Sequence, residues 1–336
     1  MWKVLARCAA LACLFVPTLS VAEPIKLKLA FFTSDRASVY RTAVKPFVDA
    51  VNAEGKGYLE IEVHFSGALG REQSQQPRLL LDGVADIAFV IPGNALDRFH
   101  DNALIELPGL FRDMREATLV YTRLIAANAL KGYEDFLVLG AYGSELESLH
   151  TRAPAKTLAD FRGKAIRVNN PTAGLALAKL GMNPTVMEIH KISSAISDGA
   201  IAGAAVPLSM LFEFGIGRVA TNHFFLLTSS APFALLMSRS RFERLPPKAQ
   251  GIIRKFSGEW TAERFIEIRA PIESDLMKQL KSDSRRRFIL PSPADQTRAE
   301  TAFAAVTKEV VAKRPHHREL LDRVRAEIAK VRASSE

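Results

Sequence analysis

Arg167 is the residue of this sequence best placed to do chemistry. It stands in Gly163-Lys164-Ala165-Ile166-Arg167-Val168-Asn169-Asn170, between two β-branched residues of a short run that alternates basic and apolar side chains. Such alternation describes a half-buried strand, and on a solvent face the arginine would be an ordinary surface residue. At the carboxyl end of a strand in an open α/β sheet, where ligands bind, the same guanidinium offers a planar fork to a carboxylate. Both readings stay open on these eight residues.

Other chemistries lack carriers. A hydrolase needs an activated nucleophile, yet there is no G-x-S-x-G, and Ser66, Ser144 and Ser257 lack the sharp strand-to-helix context that exposes a serine. The seven histidines show no H-E-x-x-H or comparable spacing, and His316-His317 after Pro315 reads as a solvated turn. The glycine pairs of Gly67-Ala68-Leu69-Gly70 and Gly215-Ile216-Gly217-Arg218 match neither a P-loop nor a dinucleotide fingerprint and read as turns. Asp82 and Asp86 read as a helix end and a strand start. No catalytic group, no metal and no cofactor is expected, which is the profile of a binding protein.

The first 22 residues form a separate unit. Lys3 and Arg7 make a basic start, an apolar stretch follows, and Ser20-Val21-Ala22 is a small-residue cleavage site, so a secretory signal peptide cleaved after Ala22 is expected. Both cysteines, Cys8 and Cys13, lie inside it, which excludes disulfides and thiolate chemistry from the mature chain. More than 300 residues remain, enough for two domains with adequate cores. The formal charge is +9, or +7 after removal of Lys3 and Arg7 (9 − 2), with basic residues scattered among acidic ones. Scattered charge favours solubility and general attraction of anions; no nucleic-acid partner is expected.

The elements that position Arg167 repeat an α/β pattern. Strands are expected at Ile25–Phe32, Tyr58–Phe65, Ala85–Ile91 and Phe136–Gly143, with helices between them, which implies parallel, doubly wound sheets. Thr157 and Asp160 form a capping pattern before the short helix that delivers the chain to the Arg167 strand. Two apolar runs in 222–239 are read as separated by a turn at Ser229-Ser230. Long helices dominate from Pro246 onward, and the last places Leu320, Leu321, Val324, Ile328 and Val331 on one face.

Several of these segments, taken in order, resemble the solute-binding proteins of tripartite ATP-independent periplasmic (TRAP) transporters of the DctP type. They are 60–96 (strand, "SGALGRE" loop, helix, strand), "ELPGLFRDMREA", "APAKTLADFRGKAIRV", and 180–209 with its "IAGAAVP". The resemblance spans nearly the whole mature chain. It implies a two-lobed α/β periplasmic-binding-protein fold, type II-like, with a long bracing helix and an interlobe ligand cleft. Expected limits are 1–22 for the signal, 23–145 mainly for the first lobe, 146–235 mainly for the second, and 236–336 for elements crossing between and bracing both. It implies that Arg167 pairs with the carboxylate of a small organic acid, and that a membrane permease receives the ligand from the binding protein, here expected to be a monomer in the periplasm.

Departures from the pattern point to the kind of acid. Where the family carries an acidic residue and an asparagine, this chain has Ala202 and Val206, and a second arginine expected near Tyr142–His150 gives way to acidic residues. Candidate contacts are therefore Arg167, Phe32, Phe233 and Val206, with Phe31, Phe89 and Pro92 as further apolar positions, and Glu72, Ser34, Asn94 and Asn169 as polar ones. Glu72 matches the family's loop glutamate, yet also suits a helix N-terminus. Asn169 and Asn170 suit the cap of the helix beginning near Pro171. An organic monocarboxylate with an apolar portion is the expected ligand. A sensor-coupled binding protein and an exported enzyme of unrecognised type are the alternatives.

Overall fold

The computed structural model describes residues 23–334, so the expected signal segment 1–22 lies outside the described residues. β1 (Ile25–Ala30), β2 (Leu59–His64) and β3 (Ile87–Val90) run parallel, with the helices Lys45–Glu54 and Gln76–Leu81 between them. β1 shows why: Leu27 and Leu29 are buried while Lys26 and Lys28 alternate with them in solvent. β4 (Phe136–Gly143) and the much later β10 (Pro232–Ser238) complete a five-stranded sheet in the order β2-β1-β3-β10-β4, β10 lying antiparallel to both neighbours.

A second sheet holds β5 (Ser148–Thr151), β6 (Ala165–Val168), β7 (Asn183–Val186), β8 (Gly203–Val206), β9 (Asn222–Phe224) and β11 (Arg287–Ile289), ordered β11-β9-β5-β8-β6-β7. The two sheets are the centres of two lobes. Both are mixed rather than wholly parallel, because β4, β5 and β10 carry the chain from one to the other.

The chain passes between the lobes at 144–147, at 225–231, and along the helix Glu259–Ser282. The first two passages pair with each other: Ser144 N–H donates to Ala231 O at 2.9 Å, Glu147 N–H to Ser229 O at 3.0 Å, and Thr228 N–H to Glu147 O at 2.9 Å. Ser229-Ser230 is thus part of an interlobe passage rather than a turn between two paired strands. The expected limit at 235 falls inside β10, which belongs to the first sheet. Apolar patterning reports that a segment is buried, but not in which sheet.

The 24-residue helix Glu259–Ser282, about 36 Å long at 1.5 Å per residue, is the brace. It packs on β4 and the helix Met114–Ala126 in one lobe, and on the helix Leu208–Glu213 and β11 in the other. Midway along it, Arg269 Nε donates to Glu145 Oε1 at 2.8 Å, and Ser209 Oγ donates to the other oxygen at 3.0 Å, so one buried carboxylate holds the brace, the first passage and the second lobe together.

The last two helices, Pro293–Ala312 and His317–Ala333, pack together, and the apolar stripe from Leu320 to Val331 is buried as its spacing implies. That stripe draws the preceding turn inward. His317 is buried and His316 is 31% exposed, which corrects the expectation of a solvated turn.

Candidate ligand-binding site

The carboxyl ends of β1, β3 and β6 face one another across the two lobes, the position where open α/β sheets leave room for a ligand. A cavity of about 140 Å³ lies there, walled by Phe32, Phe89, Phe233, Val39, Met210 and Phe214. Its aromatic wall is continuous: ring centres are 5.8 Å apart for Phe32 and Phe89 and 5.4 Å for Phe89 and Phe233, with Tyr142 stacked behind Phe233 at 5.4 Å. An apolar cavity of about 150 Å³ is known to take a benzene ring. A larger depression of about 690 Å³ lies near Leu107 and the C-terminal helices, away from these strand ends; its Arg332 is already engaged, Nη2 donating to Glu116 Oε2 at 3.1 Å.

Arg167 lines the smaller cavity. Its strand lies between β7 and β8, so the side chain is only 3% exposed, and the surface reading of the sequence does not apply. Nε donates to Met187 O at 2.8 Å, Nη2 to Asn169 Oδ1 at 3.3 Å and Nη1 to Ala205 O at 3.5 Å. Those contacts fix the plane of the fork and use three of its five N–H groups. Burial draws the guanidinium pKa down, and the charge of Glu147 draws it back up.

Glu147 also lines the cavity, carried there by the first interlobe passage. It is buried, and among the described residues its Oε2 has no hydrogen-bond partner. Burial pushes its carboxyl up to about 7, the charge of Arg167 restraining the rise. Behind it stands Glu106, pushed up to about 8 by burial, with the Asn170 hydrogen bond lowering the value and Glu147 raising it. Asn170 Nδ2 donates to Glu106, which joins the lobes, while Asn170 Oδ1 accepts from Ala173 N–H at 3.0 Å and caps the helix Pro171–Lys179. Gly93 lets these groups approach: a Cβ there would come within 2.3 Å of Glu106 Oε1 and 2.8 Å of Asn170 Nδ2. Across the cavity mouth, Ser38 donates to Glu213 through its N–H at 3.2 Å and through its hydroxyl.

These carboxyls make stability depend on pH. Glu106, Glu147 and Glu273, the last a half-buried residue of the brace helix, titrate near 4.5 when unperturbed but at about 8, 7 and 7 in the folded protein, burial being the first cause in each. Below 4.5 the folded and unfolded chains both hold these protons and the stabilisation is complete. Between 4.5 and 8 the unfolded chain gives up protons that the folded one keeps, so stability falls. Thermal melts should show a decline from about pH 4.5 to about pH 8, and Glu106→Gln should flatten it.

Of the candidates named from sequence, Arg167, Asn169, Phe32 and Phe233 line this cavity, and so does Phe89. Four others stand outside its wall. Glu72 and Ser34 are exposed, and the Glu72 carbonyl accepts from Gln76 Nε2 at 3.1 Å. Val206 is fully buried in β8, its carbonyl 3.2 Å from His150 Nε2. Asn94 donates to Gln73 Oε1 at 2.7 Å, and it is Gln73 that reaches the wall. Phe31 is a core residue and Pro92 is buried. Polar residues that escaped the sequence reading are Gln73, Glu213, Glu147, and Thr33, whose buried Oγ1 has no partner among the described residues. The acidic run at 145–147 was visible, but only the position of the interlobe passage says which carboxylate faces the cavity.

Known proteins share this architecture. A TRAP solute-binding protein from Rhodoferax ferrireducens T118, solved with copurified benzoate, matches with a TM-score of 0.83 at 24% identity over 93% of this chain and 100% of its own. A marine metagenome TRAP solute-binding protein specific for aromatic acid ligands, solved with 3-hydroxybenzoate, gives 0.82 at 22% identity over 92% and 99%. In sequence, the 2,3-diketo-L-gulonate-binding periplasmic protein of Escherichia coli (strain K12) is 25% identical over 230 residues, 67% of this chain and 69% of that protein. The sequence model of bacterial extracellular solute-binding protein family 7, DctP, matches residues 30–314, and the chain belongs to that family, the solute-binding proteins of TRAP transporters.

Proposed function

We propose that this chain captures an aromatic monocarboxylate in the periplasm, after export and cleavage behind Ala22, and delivers it as a monomer to membrane permease components. The observation that carries the reading is a buried arginine in a ring-sized cavity walled by Phe32, Phe89 and Phe233. The acid's carboxylate accepts paired, charge-assisted hydrogen bonds from Arg167, and its ring packs against the phenylalanines. Thr33 Oγ1 is available to a ring hydroxyl. Benzoate and 3-hydroxybenzoate, the ligands of the two structural neighbours, fit that arrangement. Sugar acids, such as the galacturonate held by another neighbour, need more hydroxyl partners than an aromatic wall supplies.

A thermal-shift and calorimetry screen tests the ligand class. Benzoate and hydroxybenzoates should bind and raise the melting temperature; strong binding of a uronate or a C4 dicarboxylate with none of benzoate rules the reading out.

Glu147 sets the pH dependence of capture. A ligand anion beside it leaves one positive charge, Arg167, facing two carboxylates, and Glu106 and Glu213 add no compensating charge. Binding is therefore accompanied by protonation of Glu147. Affinity for benzoate should fall about tenfold per pH unit above about pH 7, and Glu147→Gln should make it nearly independent of pH. Calorimetry in buffers of different ionisation enthalpy reads the proton directly; a pH-independent wild-type affinity contradicts the coupling.

A further inference from the structure

Three histidines far from the ligand cavity converge on one carboxylate oxygen. His100 and Asp101, just before the short helix Asn102–Ile105, meet His316 and His317 from the turn between the last two helices, 215 residues later. The Nε2 atoms of His316, His317 and His100 lie 2.7, 3.2 and 3.3 Å from Asp101 Oδ1. The ligating atoms of His100, Asp101 and His316 are all within 4.8 Å of one another.

One hydrogen bond fixes the orientation of the His317 ring. His317 Nδ1 is 3.0 Å from Val310 O, and a carbonyl only accepts, so Nδ1 carries the proton. His317 turns its Nε2 toward Asp101 Oδ1 at 3.2 Å. Asp101 Oδ2 is occupied by the Lys131 N–H at 2.9 Å, which aims Oδ1 at the rings.

We propose that this cluster binds a divalent transition-metal ion, zinc above others, through one ring nitrogen each of His100 and His316 and a carboxylate oxygen of Asp101, with His317 in contact with the same carboxylate. Tetrahedral zinc with bonds of about 2.0–2.1 Å separates its ligand atoms by about 3.3 Å, which the His100–Asp101 distance of 3.3 Å matches, and three protein ligands leave the fourth position to water. Imidazole with one carboxylate suits zinc, nickel and copper rather than magnesium or calcium. The Lys131 amide is the outer hydrogen bond that holds the Asp101 ligand in orientation, and His317, itself held by the Val310 carbonyl, contacts the same carboxylate. His100 and His316 remain partly exposed and give the ion access, whereas Asp101 and His317 are buried. The ion fastens the C-terminal helix pair to the first lobe, in a protein whose two cysteines both lie in the expected signal segment. The sequence showed no metal motif because the ligands arrive from two distant segments.

The test uses full mature protein stripped with a chelator and titrated with Zn²⁺ alone. Calorimetry should give one ion per chain, zinc should raise the melting temperature by several degrees, and Co²⁺ should produce the visible absorption of a tetrahedral nitrogen–oxygen site. His100→Ala with His316→Ala alters only the two part-exposed ligands; it should weaken uptake on the order of 100-fold or more while leaving the metal-free circular dichroism unchanged. No uptake by the wild type, or uptake unchanged in the double variant, overturns the assignment.

Discussion

Arg167→Ala is expected to weaken binding of benzoate or its analogues by roughly two to three orders of magnitude, about 3–4 kcal/mol, when measured by calorimetry. The loss exceeds that of a surface ion pair because the ligand's carboxylate would remain enclosed without its charge partner. The phenylalanine wall stays in place, so weak binding driven by the ring should survive. Arg167→Lys should recover only part of the affinity. It restores the charge but not the fork, nor the guanidinium contacts to Met187 and Ala205 that set its plane. Wild-type affinity in Arg167→Ala, with the melting temperature preserved, would remove the arginine from the mechanism.

Arg269→Ala should produce the largest loss of stability among single changes at the brace, about 3–5 kcal/mol, seen as a melting temperature lower on the order of 10 °C. Its partner Glu145 is 3% exposed and would be left as an unpaired buried charge, still accepting from Ser209 but without a cation. The paired change Glu145→Gln with Arg269→Met should cost much less, because it removes both charges together. That comparison isolates the ion pair from the packing of the long helix. A single variant no less stable than the double one would show that the pair does not hold the lobes to the brace.

Particular residues show how much of this was written locally in the chain. The alternation in Ile25–Ala30 and the capping pattern at Thr157 and Asp160 are short-range features, and both appear in the structure where the pattern places them. Phe32, Phe89 and Phe233 were recognisable because each closes or opens an apolar strand near a carboxyl end. Glu147, Thr33 and the destination of β10 were not, since they depend on where the chain passes between lobes, a long-range fact that short-range periodicity does not encode. Val206 stands in β8, the neighbour of β6, and its side chain is buried in the core, which the family pattern alone does not encode. His316 and His317 looked like a polar turn until the stripe from Leu320 to Val331 drew them against Asp101.

The central claim is that a carboxylate sits on Arg167 with an aromatic ring among Phe32, Phe89 and Phe233, and a crystal structure with benzoate tests it most directly. The expected result is two benzoate oxygens at about 2.7–2.9 Å from the guanidinium nitrogens, with Glu147 close enough to donate its proton to one of them. Benzoate bound with its carboxylate turned away from Arg167, or lodged outside this cavity, would contradict it.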